Sequence, residues 1–146
     1  MSTLKLAHKF QKGQASIEAL LMLMLLSLLI LGGIELSRGV AIRQALDSGT
    51  GAAVRALSLD PTQWSFASGV VQQEVYQNVM GAGPAITVQV YDSANTLRSS
   101  AWLSGSPFGT SFILEASAPF QADIPFLPDN ALTIRVRHWG IEERYP

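Results

Sequence analysis

From Ile17 to Ile34 the chain reads IEALLMLMLLSLLILGGI, and between Ala19 and Leu31 the only polar side chain is Ser27. About 18 residues rising ~1.5 Å each give roughly 27 Å, close to the hydrocarbon thickness of a bilayer. A helix buried in a soluble core would keep a polar stripe, so this block predicts a transmembrane helix, with the Ser27 hydroxyl bonding back to its own backbone. The periodicity then changes without stopping. Ile42, Leu46, Ala53 and Leu57 recur at helical spacing while Arg38, Arg43, Asp47 and Arg55 fall mostly elsewhere, which predicts an amphipathic continuation over Glu35 to Leu59. Gly49 and Gly51 weaken it; with Ala52 and Ala53 they offer either a smooth face for close helix packing or a local kink.

Asp60-Pro61-Thr62-Gln63 has the form of a helix start, with Asp60 as cap, Pro61 at the first helical position and Gln63 returning a bond. A second helix to about Met80 would bury Trp64, Ala67, Val71, Val75 and Val79, and Gly81 with Gly83-Pro84 would end it. Ile86, Val88 and Val90 alternate with Thr87, Gln89 and Tyr91 as a half-buried strand does, and Asp92 to Asn95 supply a turn. A further strand is expected over Leu97 to Leu103. Alternation returns at Phe112, Leu114 and Ala116 against Ile113, Glu115 and Ser117, and at Leu132, Ile134 and Val136 against Thr133, Arg135 and Arg137. Pro119, Pro125 and Pro128 cannot donate to a ladder and mark a loop between these two strands.

The pattern predicts an α+β fold: a long N-terminal helix, transmembrane and then soluble, a second helix, and a small antiparallel sheet of three to four strands. It divides the chain into a basic leader (1–13), the transmembrane and extended helix (14–59) and a soluble α+β domain (60–146). The 146 residues suffice for one small domain beyond the anchor.

Charge sharpens the division. Hydrophobic residues make up 48% and the mean hydropathy is +0.25, averages that conceal the apolar block. Of the 10 lysines and arginines, the lysines Lys5, Lys9 and Lys12 all precede Gly13, which leaves seven arginines against 11 carboxylates and a net of -4 downstream. A surface of that sign lacks the clustered cations that phosphate backbones require, so no nucleic-acid partner is expected. With no cysteine there is no disulfide framework, thiolate metal site or thiol nucleophile.

Lysines or arginines flank the span as three before (Lys5, Lys9, Lys12) and two after (Arg38, Arg43), a small bias that places the N-terminus in the cytoplasm. A cleaved secretory signal is the rival reading. Its apolar region is shorter and ends at small residues, whereas this run continues into Glu35, Leu36, Ser37 and Arg38.

Just before the span stands Lys12-Gly13-Gln14-Ala15-Ser16-Ile17-Glu18. Gly13 lets an extended backbone approach a protease, and its poor helix propensity should keep the leader and the span apart. Glu18, a carboxylate at the mouth of an apolar helix, needs a partner in hydrocarbon and is favoured at a helix N-terminus. A Gly and a Glu at one fixed spacing arise by chance at roughly half a percent of positions. The weight therefore lies in their coincidence with a wholly basic leader and with the absence of any other charge until Glu35.

This heptapeptide resembles a class III prepilin cleavage site, and the whole run GQASIEALLMLMLLSLLILGGIELSRG is similar to the N-terminal segment of TadE-like proteins, the minor pilins or pseudopilins of the tight-adherence (Flp-type) pilus system. Thr87 to Val90, Phe112 to Pro119, the hydrophobic loop Ile124-Pro125-Phe126-Leu127-Pro128 and Leu132 to Val136 resemble the strand and loop pattern of the same group. Where many members carry an aromatic residue after the motif glutamate, this chain has Ala19. The resemblance implies a processing site at Gly13 and Gln14, cut after Gly13 by a membrane aspartyl prepilin peptidase, so that Gln14 becomes the first residue. It implies Glu18 as an assembly residue, pairing with the new amine of a neighbouring subunit. The partners it implies are that peptidase, other pilins and minor pilins, and the inner-membrane assembly platform. The protein would sit in a bacterial inner membrane, N-terminus cytoplasmic and domain periplasmic, or in the pilus itself.

No enzymatic role is expected. The sequence holds no P-loop, GxSxG or HExxH motif. His138 shares a strand face with Leu132, Ile134 and Val136 and reads as a satisfied buried or edge histidine. Glu115, Asp123, Asp129, Glu142 and Glu143 are scattered and read as solvated surface; Arg135 and Arg137 share one strand face and could pair with an acidic neighbour, with an ordinary exposed face the preferred reading. No cofactor, metal or small-molecule substrate is expected. The alternatives are an uncleaved membrane-tethered extracytoplasmic binding module and a type II secretion pseudopilin.

Overall fold

A computed structural model describes residues 3–79, 84–122 and 131–143. Helix α1 (Thr3–Leu59) is followed by α2 (Trp64–Asn78), β1 (Thr87–Asp92), β2 (Leu97–Arg98), α3 (Ser100–Gly105), β3 (Ser111–Gln121) and β4 (Ala131–Ile141). The four strands form one antiparallel sheet in the order β2-β1-β3-β4. The fold is α+β, as the hydrophobic pattern predicts.

Helix α1 is one unbroken element of 57 residues, about 86 Å long at ~1.5 Å per residue. It passes through Gly13 without a break, contrary to the expectation of an open junction there, because a single glycine costs a helix only about 1 kcal/mol and the flanking residues are good helix formers. Its C-terminal half supplies the core. Ile42, Ala45, Leu46, Ala53 and Leu57 are buried against Ala67, Val71 and Val75 of α2 and against Val90, Phe112, Leu114 and Ala116 of the sheet. Thr50 is fully buried among them and returns its hydroxyl to the Leu46 carbonyl at 2.5 Å. Gly49 does not kink the helix. A Cβ there would stand 3.0 Å from the Val71 Cα and 3.2 Å from the Glu74 Cβ, so its missing side chain lets α2 approach closely.

The start of α2 differs from the sequence reading. The helix begins at Trp64, and Gln63 at its cap position makes no side-chain capping bond. Asp60 closes its own turn instead: its carboxylate accepts from the Thr62 amide at 3.0 Å, the Thr62 hydroxyl at 2.6 Å and the Gln63 amide group at 2.9 Å. This Asx-type turn reverses the chain at Pro61, so Asp60 ends the α1 connection and does not open α2. Helix α2 ends at Asn78, and Met80, Gly81 and Gly83 lie outside the described residues. Trp64 is partly buried against the core.

The expected strand over Leu97 to Leu103 is mostly helix. Only Leu97 and Arg98 pair with β1, after which the Ser99 hydroxyl accepts from the Trp102 amide at 3.2 Å and caps the short α3. That local bond favours a helical turn over continued pairing. Pro119, assigned to a loop, lies inside β3 opposite Thr133. It stands beyond Thr87↔Ser117, the last β1 pair, where β3 has a ladder on one side only, the setting in which a strand tolerates proline. Pro125 and Pro128 lie outside the described residues.

The β1–β2 turn is held by Asp92. One carboxylate oxygen accepts from the Thr96 amide at 2.8 Å, and the other meets the Arg98 guanidinium at 2.7 Å. Asn95 takes the left-handed conformation, φ 62°, that asparagine accepts more readily than most residues. The Thr96 amide first, and then Arg98, hold the Asp92 carboxyl below its ordinary range, against the opposing effect of partial burial. A carboxylate lowered on folding stabilises fully above its unfolded pKa of about 4, and that contribution is lost as pH falls through the folded value. Asp92→Asn is therefore expected to lower the thermal midpoint at neutral pH and to narrow its gap to wild type in acid. Melts at pH 7 and at about pH 3 check this; an equal gap at both would exclude Asp92 as the acid-sensitive group.

Candidate functional site

The sequence-derived site is the N-terminal part of α1. Between Glu18 and Glu35 there is no charge, and the helix rises about 26 Å over that interval. Its most apolar window has a mean hydropathy of 2.5, and none of it is buried. Leu20, Leu21, Met22, Leu23, Leu26 and Leu29 are each more than half exposed. An apolar surface of that extent is unsustainable in water, and the helix is long and apolar enough to cross a membrane. A core helix would be covered. A detachable signal would not run, as this span does, without interruption into Ile42 and Leu46 of the domain core.

The Ser27 hydroxyl of the span donates to the Leu23 carbonyl and, just beyond, Ser37 donates to the Gly33 carbonyl, both at 2.8 Å. At the outer boundary Glu35 and Arg38 face each other at 3.7 Å. Gln14 and Glu18 lie one turn apart on α1, and both are exposed. Among the described residues, no hydrogen bond or ion pair joins Gln14 or Glu18 to the α+β domain.

The domain gathers a second polar group, in which Arg137 pairs with an acidic neighbour, the less favoured of the two sequence readings. On the outer face of the sheet the register sets Gln89 opposite Glu115 and Glu115 opposite Arg137. The Arg137 guanidinium pairs with the Glu115 carboxylate, donates to Asn95 Oδ1 at 3.0 Å and lies 5.1 Å from the centre of the Tyr91 ring. The Tyr91 hydroxyl reaches Gln89 at 3.0 Å. Glu115 is only 4% exposed, and Glu142 is 1% exposed, so neither is the solvated carboxylate expected. Alternation identified the face each residue occupies. The cross-strand register that buries Glu115 under Arg137 is not carried by either strand alone. Asp123 and Asp129 lie outside the described residues.

His138 falls on the core side of β4, as alternation predicts, and its Nε2 lies 2.9 Å from Asp47 Oδ1 on α1. The ring packs over Gly51, where a Cβ would meet it at 3.7 Å. This contact ties β4 to α1. Among the described residues no three His, Cys, Asp or Glu side chains group as a metal site.

Comparison with curated proteins and with solved structures returned no match. A family model does match, and it begins at Gly13 and ends within α1, short of the sheet. The match to the family described as TadE-like protein spans residues 13–55, the same stretch that carries the Gly13–Glu18 motif and the unburied apolar span, so the N-terminal helix is similar to that family.

Proposed function

We propose that this chain is a structural minor pilin, or pseudopilin, of a tight-adherence (Flp-type) pilus, cut after Gly13 by a prepilin peptidase and then assembled through its N-terminal helix. The observation that carries the reading is an apolar helix with none of its most hydrophobic window buried, continuous with the domain core and coincident with the family match over residues 13–55. A helix so exposed requires lipid or other helices around it, and a pilin uses first one and then the other.

In this reading the N-terminus is cytoplasmic, the span lies in the inner membrane, and residues 60–146 form a periplasmic domain. The chemistry is done to the chain and not by it. Its partners are the peptidase, the other pilins and the assembly platform.

The test is the intact mass of the protein recovered from its native membrane. A mature chain starting at Gln14 is expected. Gly13→Leu should accumulate as full-length precursor, because a branched side chain obstructs the extended backbone that a peptidase must grip. Normal cleavage of that variant, or retention of residues 1–13 in the wild type, would leave a membrane-tethered module as the better account.

A further inference from the structure

Where the apolar span gives way to the domain, α1 and the end of α2 enclose an open groove of about 780 Å³. Its lower wall is Leu29, Ile30, Gly33 and Ile34 of α1. Higher up it is bounded by Ser37 and Arg38, with Asn78 and Val79 overhanging from α2. From Leu29 to Arg38 the helix rises about 13 Å, so the groove crosses from hydrocarbon depth into the headgroup layer.

We propose that this groove holds one phospholipid of the leaflet on the domain side, its acyl chains against Leu29, Ile30 and Ile34 and its phosphate at the Arg38 guanidinium. The inference rests on the membrane-spanning reading given above. Two observations select this occupant. The lining changes from apolar to polar in the same direction as a phospholipid does, and the first cation beyond the span stands at the polar end. Glu35 approaches Arg38 only at 3.7 Å, beyond hydrogen-bond length, and the arginine side chain is 40% exposed. A guanidinium carries five donors in a fork that fits phosphate oxygens in pairs, so Arg38 can take a phosphate while remaining near Glu35. Gly33 keeps the wall open, since a Cβ there would meet nothing within 4 Å. An apolar helix from a second copy would also suit the lower wall, and its Glu35 would stand at about the depth of Arg38, so capture at Gly33 is what separates the two occupants.

The test uses the full chain in nanodiscs of phosphatidylglycerol and phosphatidylcholine, with resistance to alkaline extraction established first. A chain that is extracted refutes the membrane reading and the groove with it. For an inserted chain, native mass spectrometry should show a retained phosphatidylglycerol. Arg38→Gln should lower that retention about fivefold, the effect of one cation near an anionic lipid, whereas Arg43→Gln, outside the groove, should not. Gly33→Leu should reduce retention of both lipids by filling the groove with the charge intact. Equal losses for Arg38→Gln and Arg43→Gln would reduce the effect to general surface attraction and overturn the site. The chain has no cysteine, so Gly33→Cys can carry a single photoactivatable label. Capture of lipid is expected; capture of a second copy's helix in its place would also overturn the proposal.

Discussion

Gly140→Ala is expected to destabilise the domain by about 2–3 kcal/mol, the upper part of the range for overpacking a filled core. Gly140 lies directly opposite Phe112 on the β3–β4 ladder, and the Phe112 ring is fully buried over the glycine backbone. A Cβ at Gly140 would fall inside the contact distance of three ring atoms, the nearest being Cζ, with Cε1 at 2.8 Å. The ring belongs to a core whose other members, Leu46, Leu57 and Leu114 among them, are themselves fully buried, so a shift of the ring must displace packed side chains. The thermal midpoint should drop by about 10 °C for a domain of this size. Phe112→Leu alone should also destabilise, by leaving a cavity, yet the double variant should recover part of the loss, because the smaller side chain makes room for the new methyl. Strictly additive losses in the two variants, or an unchanged midpoint in Gly140→Ala, would show that the ring yields at little cost.

Elements with a strong period were legible before any coordinates. Ile42, Leu46, Ala53 and Leu57 gave the core stripe of α1, Ala67, Val71 and Val75 gave that of α2, and Phe112, Leu114 and Ala116 gave the inner face of β3; all are buried. What failed was decided by short-range competition. Asp60 and Gln63 have the residue types of a helix cap, but the same carboxylate closes a tighter turn with Thr62, and composition does not distinguish the two. Leu97 to Leu103 alternates weakly enough for one serine cap at Ser99 to turn it into helix. Gly140 and Glu115 were invisible for a different reason: each owes its role to a residue on another strand, and register is a property of the pair. The candidate site stands at the opposite extreme. Gly13, Gln14 and Glu18 are proposed from sequence because a charge beside an apolar span is conspicuous in one dimension. Gln14 and Glu18 are exposed, away from the buried core.

Glu18→Ala is expected to leave membrane insertion and peptidase cutting intact and to abolish incorporation among other pilins. In the chain described here α1 begins at Thr3, so Glu18 is several turns inside the helix, far from the favourable N-terminal end of its dipole. Cleavage after Gly13 would change that. Gln14 would become the first residue, Glu18 would fall in the first turns, and a free amine would appear one turn away. The cut would thereby create a new cation and a helix terminus suited to a carboxylate in a single step. When a processed helix leaves the headgroups and packs among other helices, the carboxylate loses its water, and the amine of a staggered neighbour can replace it. Removing one partner of a buried pair costs on the order of 3–5 kcal/mol, because the other charge is left without compensation. Distributed over every contact in a filament, a loss of that size prevents stable incorporation, although Glu18→Ala makes the span itself more apolar and easier to insert. If Glu18 merely marks the headgroup boundary, where a carboxylate is tolerated at little cost, the substitution should change nothing. Co-purification of the processed Glu18→Ala protein with its pilin partners separates the two cases. Near-complete loss of the partners is expected, Glu18→Asp should retain part of the association through its shorter carboxylate, and recovery of partners at the wild-type level would refute the ion pair.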